Sequence, residues 1–84
     1  MKHFTTSDFW ACFDKLPESV QTLARKKYQL LSEDPTHHSL RFKKIKNYRS
    51  VRVGIHYRTL GIESDSDIVW FWIGSHADYD RLIS

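Results

Sequence analysis

Near its end the chain runs Gly74-Ser75-His76-Ala77-Asp78-Tyr79-Asp80, directly after the apolar residues Ile68 to Ile73. Histidine titrates near neutral pH and passes protons in either direction. Tyr79, three residues on, can stack on a base or orient a phosphate. Arg58 follows Tyr57 in an earlier run, and a guanidinium is a fixed fork for a phosphodiester. Residues of these three types suffice for cleaving RNA without a metal, because RNA supplies its own nucleophile, the 2′-hydroxyl. The protein must take that proton, offset charge on the phosphorane and return a proton to the 5′-oxygen. Each residue also has a plainer reading. A histidine near a C-terminus is usually just exposed, and an arginine on a strand is usually just a surface charge.

Other chemistry has less support. His37-His38 and His76-Ala77-Asp78 are the nearest approach to metal ligands, but no HxxxH or CxxC spacing exists and adjacent histidines in a loop seldom share an ion. No metal and no cofactor is expected. Ser75 has no partner pattern for a nucleophile. The glycines Gly54, Gly61 and Gly74 are too far apart for a phosphate-cradling loop. Trp70 and Trp72 read as core rather than as a stacking platform.

The charge distribution points the same way as Arg58. From Pro35 to Ile62 there is no acidic residue, while Arg41, Lys43, Lys44, Lys46, Arg49, Arg52 and Arg58 supply seven of the thirteen basic ones. That stretch therefore carries +7, and the remainder, six basic residues against ten acidic, carries −4. Such segregation attracts phosphates or an acidic protein partner. The alternative is a strand edge decorated with lysine against aggregation. Arg49, Arg52, Lys43, Lys44 and Lys46 are the candidate RNA-binding residues.

These residues need supports, and the periodicity supplies them. Lys2 to Thr5 reads as a short strand. Thr6 or Ser7 is a good N-cap for a helix marked by Phe9, Trp10 and Phe13 and stopping near Lys15. Pro17 suits a first helical position, and Val20, Leu23, Ala24, Leu30 and Leu31 form one stripe of a longer helix ending near Asp34. After Pro35 the period becomes two. Leu40, Phe42 and Ile45 make a loosely extended segment, and Tyr48–Val53 and Tyr57–Glu63 alternate as strands. Gly54-Ile55-His56 reads as their turn, with one continuous strand as the competing reading. Glu63 to Asp67 is a polar turn. Ile68 to Gly74 is the last strand, with Val69, Phe71 and Ile73 on one side and Ile68, Trp70 and Trp72 on the other. A strand apolar on both sides lies inside a sheet. The fold class is α+β in the order β-α-α-β-β-β, an antiparallel sheet with a helical hairpin on one face and cations on the other.

A chain of 84 residues is one domain, 1–84, and at this size buries roughly 60–65% of its unfolded surface. The lone Cys12 excludes an internal disulfide and fits a reducing compartment. No apolar run approaches the roughly 20 residues that cross a bilayer, and no signal-peptide core opens the chain. A soluble, cytoplasmic protein is expected, with no membrane partner.

The segments DPTHHSLRFKK from Asp34, YRSVRVGIHYRTLGI from Tyr48 and IVWFWIGSHADYDRLI from Ile68 together resemble the RelE/ParE superfamily of bacterial toxins from type II toxin–antitoxin modules. The likeness extends over nearly the whole chain and includes the long helix, LPESVQTLARKKYQLL. It implies the same sheet under a helical hairpin. Many members cut messenger RNA on the ribosome without a metal, and others poison DNA gyrase. In the RNA-cutting branch the arginine after the hairpin tyrosine binds phosphate, which Arg58 matches, and a basic residue of the preceding strand contributes, a role for Arg49 or Arg52. Some members place a catalytic histidine shortly after the glycine of the last strand, which His76 matches, with Tyr79 the nearest counterpart of a following aromatic. The C-terminal helix of the family is absent here or cut to Asp78–Ile83. The implied function is a metal-independent endoribonuclease (mRNA interferase) that inhibits translation, with messenger RNA, the ribosome and a cognate antitoxin as partners. A gyrase-inhibiting toxin is the alternative, followed by a degenerate member that only binds antitoxin or RNA. Asp78 is expected as a helix N-cap and Asp80 as a solvated charge, with orientation of His76 as the alternative role.

Overall fold

The computed structural model describes residues 2–84. Thr6 starts helix α1 (Ser7–Asp14) by accepting the Phe9 N–H on its hydroxyl at 3.1 Å, which satisfies one orphan donor of the first turn. Helix α1 buries Phe9 and Phe13. Pro17 stands just outside helix α2 (Glu18–Glu33), at its cap. Only Leu31 of α2 is fully buried, with Val20, Leu23, Ala24 and Leu30 packed at the core's margin. The two helices form the expected hairpin on one side of the sheet.

The strands are β1 (His3–Thr5), β2 (Lys43–Ile45), β3 (Tyr48–Ser50), β4 (Arg52–Val53), β5 (Tyr57–Ser64) and β6 (Asp67–Ser75), followed by helix α3 (His76–Ile83). The sheet order is β1-β6-β5-β3-β2, with β4 also on β5. The α+β reading stands, and the apolar strand β6 does lie inside the sheet. One pairing differs from the sequence expectation: β1 runs parallel to β6, so the sheet is mixed at that edge. Residues 40–45, expected as loosely extended, divide into a 3-10 turn (His38–Leu40) and β2. Gly54 does turn the β4–β5 hairpin at φ 68°. The polar turn shrinks to Asp65-Ser66, both at positive φ, the twist that suits a two-residue hairpin.

β3 and β4 keep one register on β5, since Arg49 faces Gly61 and Arg52 faces Arg58. The break between them is local. Thr59 reaches across, its hydroxyl accepting the Val51 N–H at 3.1 Å in place of a ladder carbonyl.

A second irregularity matters more. Leu60 pairs with Trp72 and Gly61 with Trp70, which leaves Phe71 as an extra residue in β6. A bulge flips the alternation beyond it. Trp70 and Ile73, expected on opposite sides of the strand, therefore share the helix-covered core with Ile68. Partners in register project to the same side of a sheet. Lys44, Arg49, Val51, Val53, Thr59, Gly61, Trp70 and Ile73 thus point toward α1 and α2, and Lys43, Ser50, Arg52, Arg58, Leu60 and Trp72 point away. Helix α3 packs on β5 and β6.

Candidate functional site

Ser75 ends the last strand and caps α3, its hydroxyl accepting the Asp78 N–H at 3.1 Å. This corrects the assignment of Asp78 as N-cap. Asp78 instead pairs with Arg81, and the helix begins at His76. The His76 N–H donates to the His56 carbonyl at 2.7 Å, tying the start of α3 to the β4–β5 turn. The His76 side chain stays 49% exposed, with Asp80, one turn on, 3.5 Å from its Nε2. Asp80 is thus beside the imidazole rather than merely solvated.

One turn of helix past the cap puts Tyr79 against the sheet, 1% exposed. Its ring is the hub of the site. The Arg58 guanidinium carbon sits 5.2 Å from the ring centroid, Lys43 Nζ 5.9 Å, and the His76 ring 5.6 Å. A ring so enclosed has no free face for a base. The stacking role is replaced by a supporting one, in which Tyr79 holds His76, Lys43 and Arg58 together. The Tyr79 hydroxyl is buried without a hydrogen-bond partner, a costly state for a polar group.

Arg58 is only 5% exposed, unusual for an arginine. Its Nε donates to Ser50 Oγ at 2.9 Å and its Nη2 to the Arg41 carbonyl at 3.2 Å. Burial pulls its pKa below the ordinary guanidinium value, opposed by Tyr79 and reinforced by the charges of Arg52 and Arg41. A guanidinium so shifted is still cationic at neutral pH. Both hydrogen bonds are charge-assisted and fix the fork's direction.

Arg41, Lys43, Arg52, Ile55, Arg58 and His76 line one open cleft of about 430 Å³. Four of the six are permanent cations and none is a carboxylate. Arg52 stands directly opposite Arg58 across β4 and β5, a like-charge pair that is destabilising in a sheet. The cleft thus gathers Arg58, His76, Arg52 and Lys43 from among the candidates, over Tyr79. It does not gather Lys44, Lys46 or Arg49. Arg49 projects to the helix side and is paired with Glu63 at 2.7 Å, and Lys46 sits in the β2–β3 turn at φ 54°. Arg41, Ile55 and the buried Ser50 belong to the site without having been singled out in the sequence.

Residues 18–81 match the ParE-like toxin domain. The chain belongs to the ParE-like toxin domain family. The matched span runs from α2 into α3 and contains every residue of the cleft. No curated protein matches the chain in sequence. Among solved structures, this toxin domain is similar to the RelB–RelE antitoxin–toxin complex of Methanococcus jannaschii, with a TM-score of 0.75 at 16% identity over 96% of this chain and 99% of that one. It is similar to YafQ from E. coli, with a TM-score of 0.73 at 12% identity over 93% and 96%. The RelBE2 toxin–antitoxin complex of Mycobacterium tuberculosis gives 0.70 at 20% identity over 89% and 96%. The toxin domain therefore has the RelE-like fold.

Proposed function

We propose that this toxin domain is a metal-independent endoribonuclease that cuts messenger RNA, free or on the ribosome, and is held inactive by a cognate antitoxin. The observation that carries the reading is Arg52 opposite Arg58 in a carboxylate-free cleft with His76 at its mouth. Repulsion between the two arginines is relieved by an anion between them, and a phosphodiester is the anion the chemistry needs. Arg58, already fixed by Ser50 and the Arg41 carbonyl, offsets charge as the 2′-oxygen bonds to phosphorus and the bond to the 5′-oxygen breaks. Such preorganised charge loses nothing to reorientation during reaction. His76 is the imidazole that lines the cleft, and a histidine can act as both general base and general acid, so it takes the 2′-hydroxyl proton and returns a proton to the 5′-oxygen. The antitoxin partner is supported by RelB–RelE and RelBE2, which were solved as toxin–antitoxin complexes, and by a basic stretch suited to acidic segments.

The test is expression of the wild-type protein and of His76→Ala, with growth, primer extension on cellular messages and a thermal melt. Cleavage should fall about 10²–10⁴-fold in the variant, the usual worth of a general acid or base. The melt should not move, because the imidazole is half exposed. A normally folded, fully toxic His76→Ala protein sinks the mechanism. Inhibited gyrase supercoiling in the same cells would transfer the reading to a topoisomerase target.

A further inference from the structure

Arg41 occupies a backbone position that its residue type does not favour. Its φ of 48° and ψ of 41° lie in the left-handed region, where a Cβ crowds the following carbonyl and glycine or asparagine is the common occupant. The chain must turn there. Leu40 just before is 0% exposed in the core, and Phe42 just after packs against the same core at Trp70. The Arg41 N–H closes the 3-10 turn on the His38 carbonyl at 3.2 Å, and the Arg41 carbonyl accepts Arg58 Nη2 at 3.2 Å. All of these tasks belong to the backbone, and glycine would perform them with less strain. The side chain is used for something else: it is exposed and lines the cleft beside Arg52, Arg58 and His76.

We propose that Arg41 is an RNA-phosphate-binding residue of the cleft, its left-handed kink serving both to aim the guanidinium inward and to present the carbonyl that steadies Arg58. Backbone strain held at a site by surrounding packing is where a functional side chain is found. The Arg41 charge is already felt by Arg58, which places two guanidinium groups around one recess. A phosphodiester has two non-bridging oxygens that accept hydrogen bonds, and two forks engage neighbouring oxygens or successive phosphates of one strand. This inference rests on the RNA reading above and adds a residue to it.

The experiment uses the full chain and a short 2′-O-methyl RNA, which lacks the nucleophile and cannot be cut by the proposed route. Binding is followed by fluorescence anisotropy across a salt series, beside thermal melts and cleavage of the matching 2′-hydroxyl RNA, free and on programmed ribosomes. Arg41→Gly keeps the kink and the carbonyl, so it should melt at or above the wild type. It should bind more weakly, with a salt slope smaller by about 0.7, the single-strand value for one lost phosphate contact. Arg41→Lys should keep most of the slope. Wild-type affinity and slope in a well-folded Arg41→Gly protein would overturn the proposal while leaving the nuclease reading intact. A wild type that binds the probe but cuts RNA neither free nor on programmed ribosomes would sink the nuclease reading, and the slope difference would still decide Arg41. A wild type that neither binds the probe nor cuts free or ribosome-bound RNA overturns both.

Discussion

On the helix-covered side of the sheet, Phe9, Phe13, Leu31, Ile68, Trp70 and Ile73 form a core of apolar side chains, with a recess of about 160 Å³ between the helices and the sheet. On the other side, where α3 meets β5, the packing unit is Tyr79 with a guanidinium, an ammonium and an imidazole around its ring. The first side is stabilised by removing apolar surface from water, which is non-directional and tolerant of small shifts. The second depends on distances and angles, because each buried polar group must meet a particular partner. Ser50, Arg58 and the Arg41 carbonyl form such a chain, contributed by three separate segments. The toxin domain thus keeps its fold and its candidate chemistry on opposite sides of one sheet.

The sharpest way to break this comparison is at Tyr79. Tyr79→Ala should destabilise by about 3–5 kcal/mol, the range for emptying a buried aromatic site, and should scatter His76, Lys43 and Arg58 along with it. Tyr79→Phe keeps the ring and removes the buried hydroxyl, which lies beside the Arg58 guanidinium without a well-aligned hydrogen bond. It should change stability by no more than about 1 kcal/mol, because a hydroxyl without a well-formed partner gains little over its removal. Urea melts of both variants check this. A Tyr79→Phe protein destabilised by more than this would show that the hydroxyl is satisfied in solution, and that the cleft side is as fully paired as the helix side is packed.

Glycines on the two sides give a smaller contrast. A Cβ on Gly61 would lie 2.7 Å from Trp70 and 2.9 Å from Ile68, both buried on the helix side. Gly61→Ala should therefore cost about 1–3 kcal/mol by overpacking. A Cβ on Gly74 would lie 2.5 Å from the far edge of the Trp72 ring, which is half-buried and able to swing outward. Gly74→Ala should cost less. Equal losses by the two variants in chemical melts would mean that the cleft side is packed as rigidly as the core.

The two sides also differed in how far the sequence disclosed them. Helical stripes and period-two runs located both hairpin helices and the central strands, because burial of apolar surface leaves a pattern along the chain. Arg58 and His76 were legible from residue type and from their places beside an apolar strand. The rest was not, for identifiable reasons. The extra residue at Phe71 reverses the alternation, and nothing in a uniformly apolar run marks where a bulge falls. Arg49 and Arg52 are three residues apart in strands that keep one register, so they must point to opposite sides; that spacing could have separated them. Tyr79 was read as a residue that stacks on a base or orients a phosphate, because nothing in the sequence marks that α3 begins at His76 and lays the ring against the sheet. Ser50 reaches the site only through its contact with Arg58, 8 residues away, and no local pattern records such a contact; Arg41 lay within the basic stretch, but nothing there marks it as the residue whose backbone kink brings it into the cleft.

The smallest expected effect tests whether the helix side is wholly apolar in its energetics. His3, half-buried at the sheet edge, stacks on Trp70 at 6.2 Å and accepts its indole N–H on Nδ1 at 3.2 Å. Burial lowers the His3 pKa below its ordinary value of 6.5, opposed by Asp67. Below that value the unfolded chain binds more protons than the folded one, so stability must rise with pH across the interval. The contribution is complete above the unfolded pKa and is lost as pH falls through 6.5 toward the lowered folded value. Protonation also removes the acceptor for Trp70, in the same direction. Melting temperature should fall modestly as pH drops from about 7.5 to about 5.5, where an unperturbed histidine titrates. His3→Asn, with an amide oxygen to accept from Trp70, should flatten that part of the profile. An unchanged profile in the variant would assign the pH dependence to other groups and leave the helix side an apolar core in its energetics as well as in its composition.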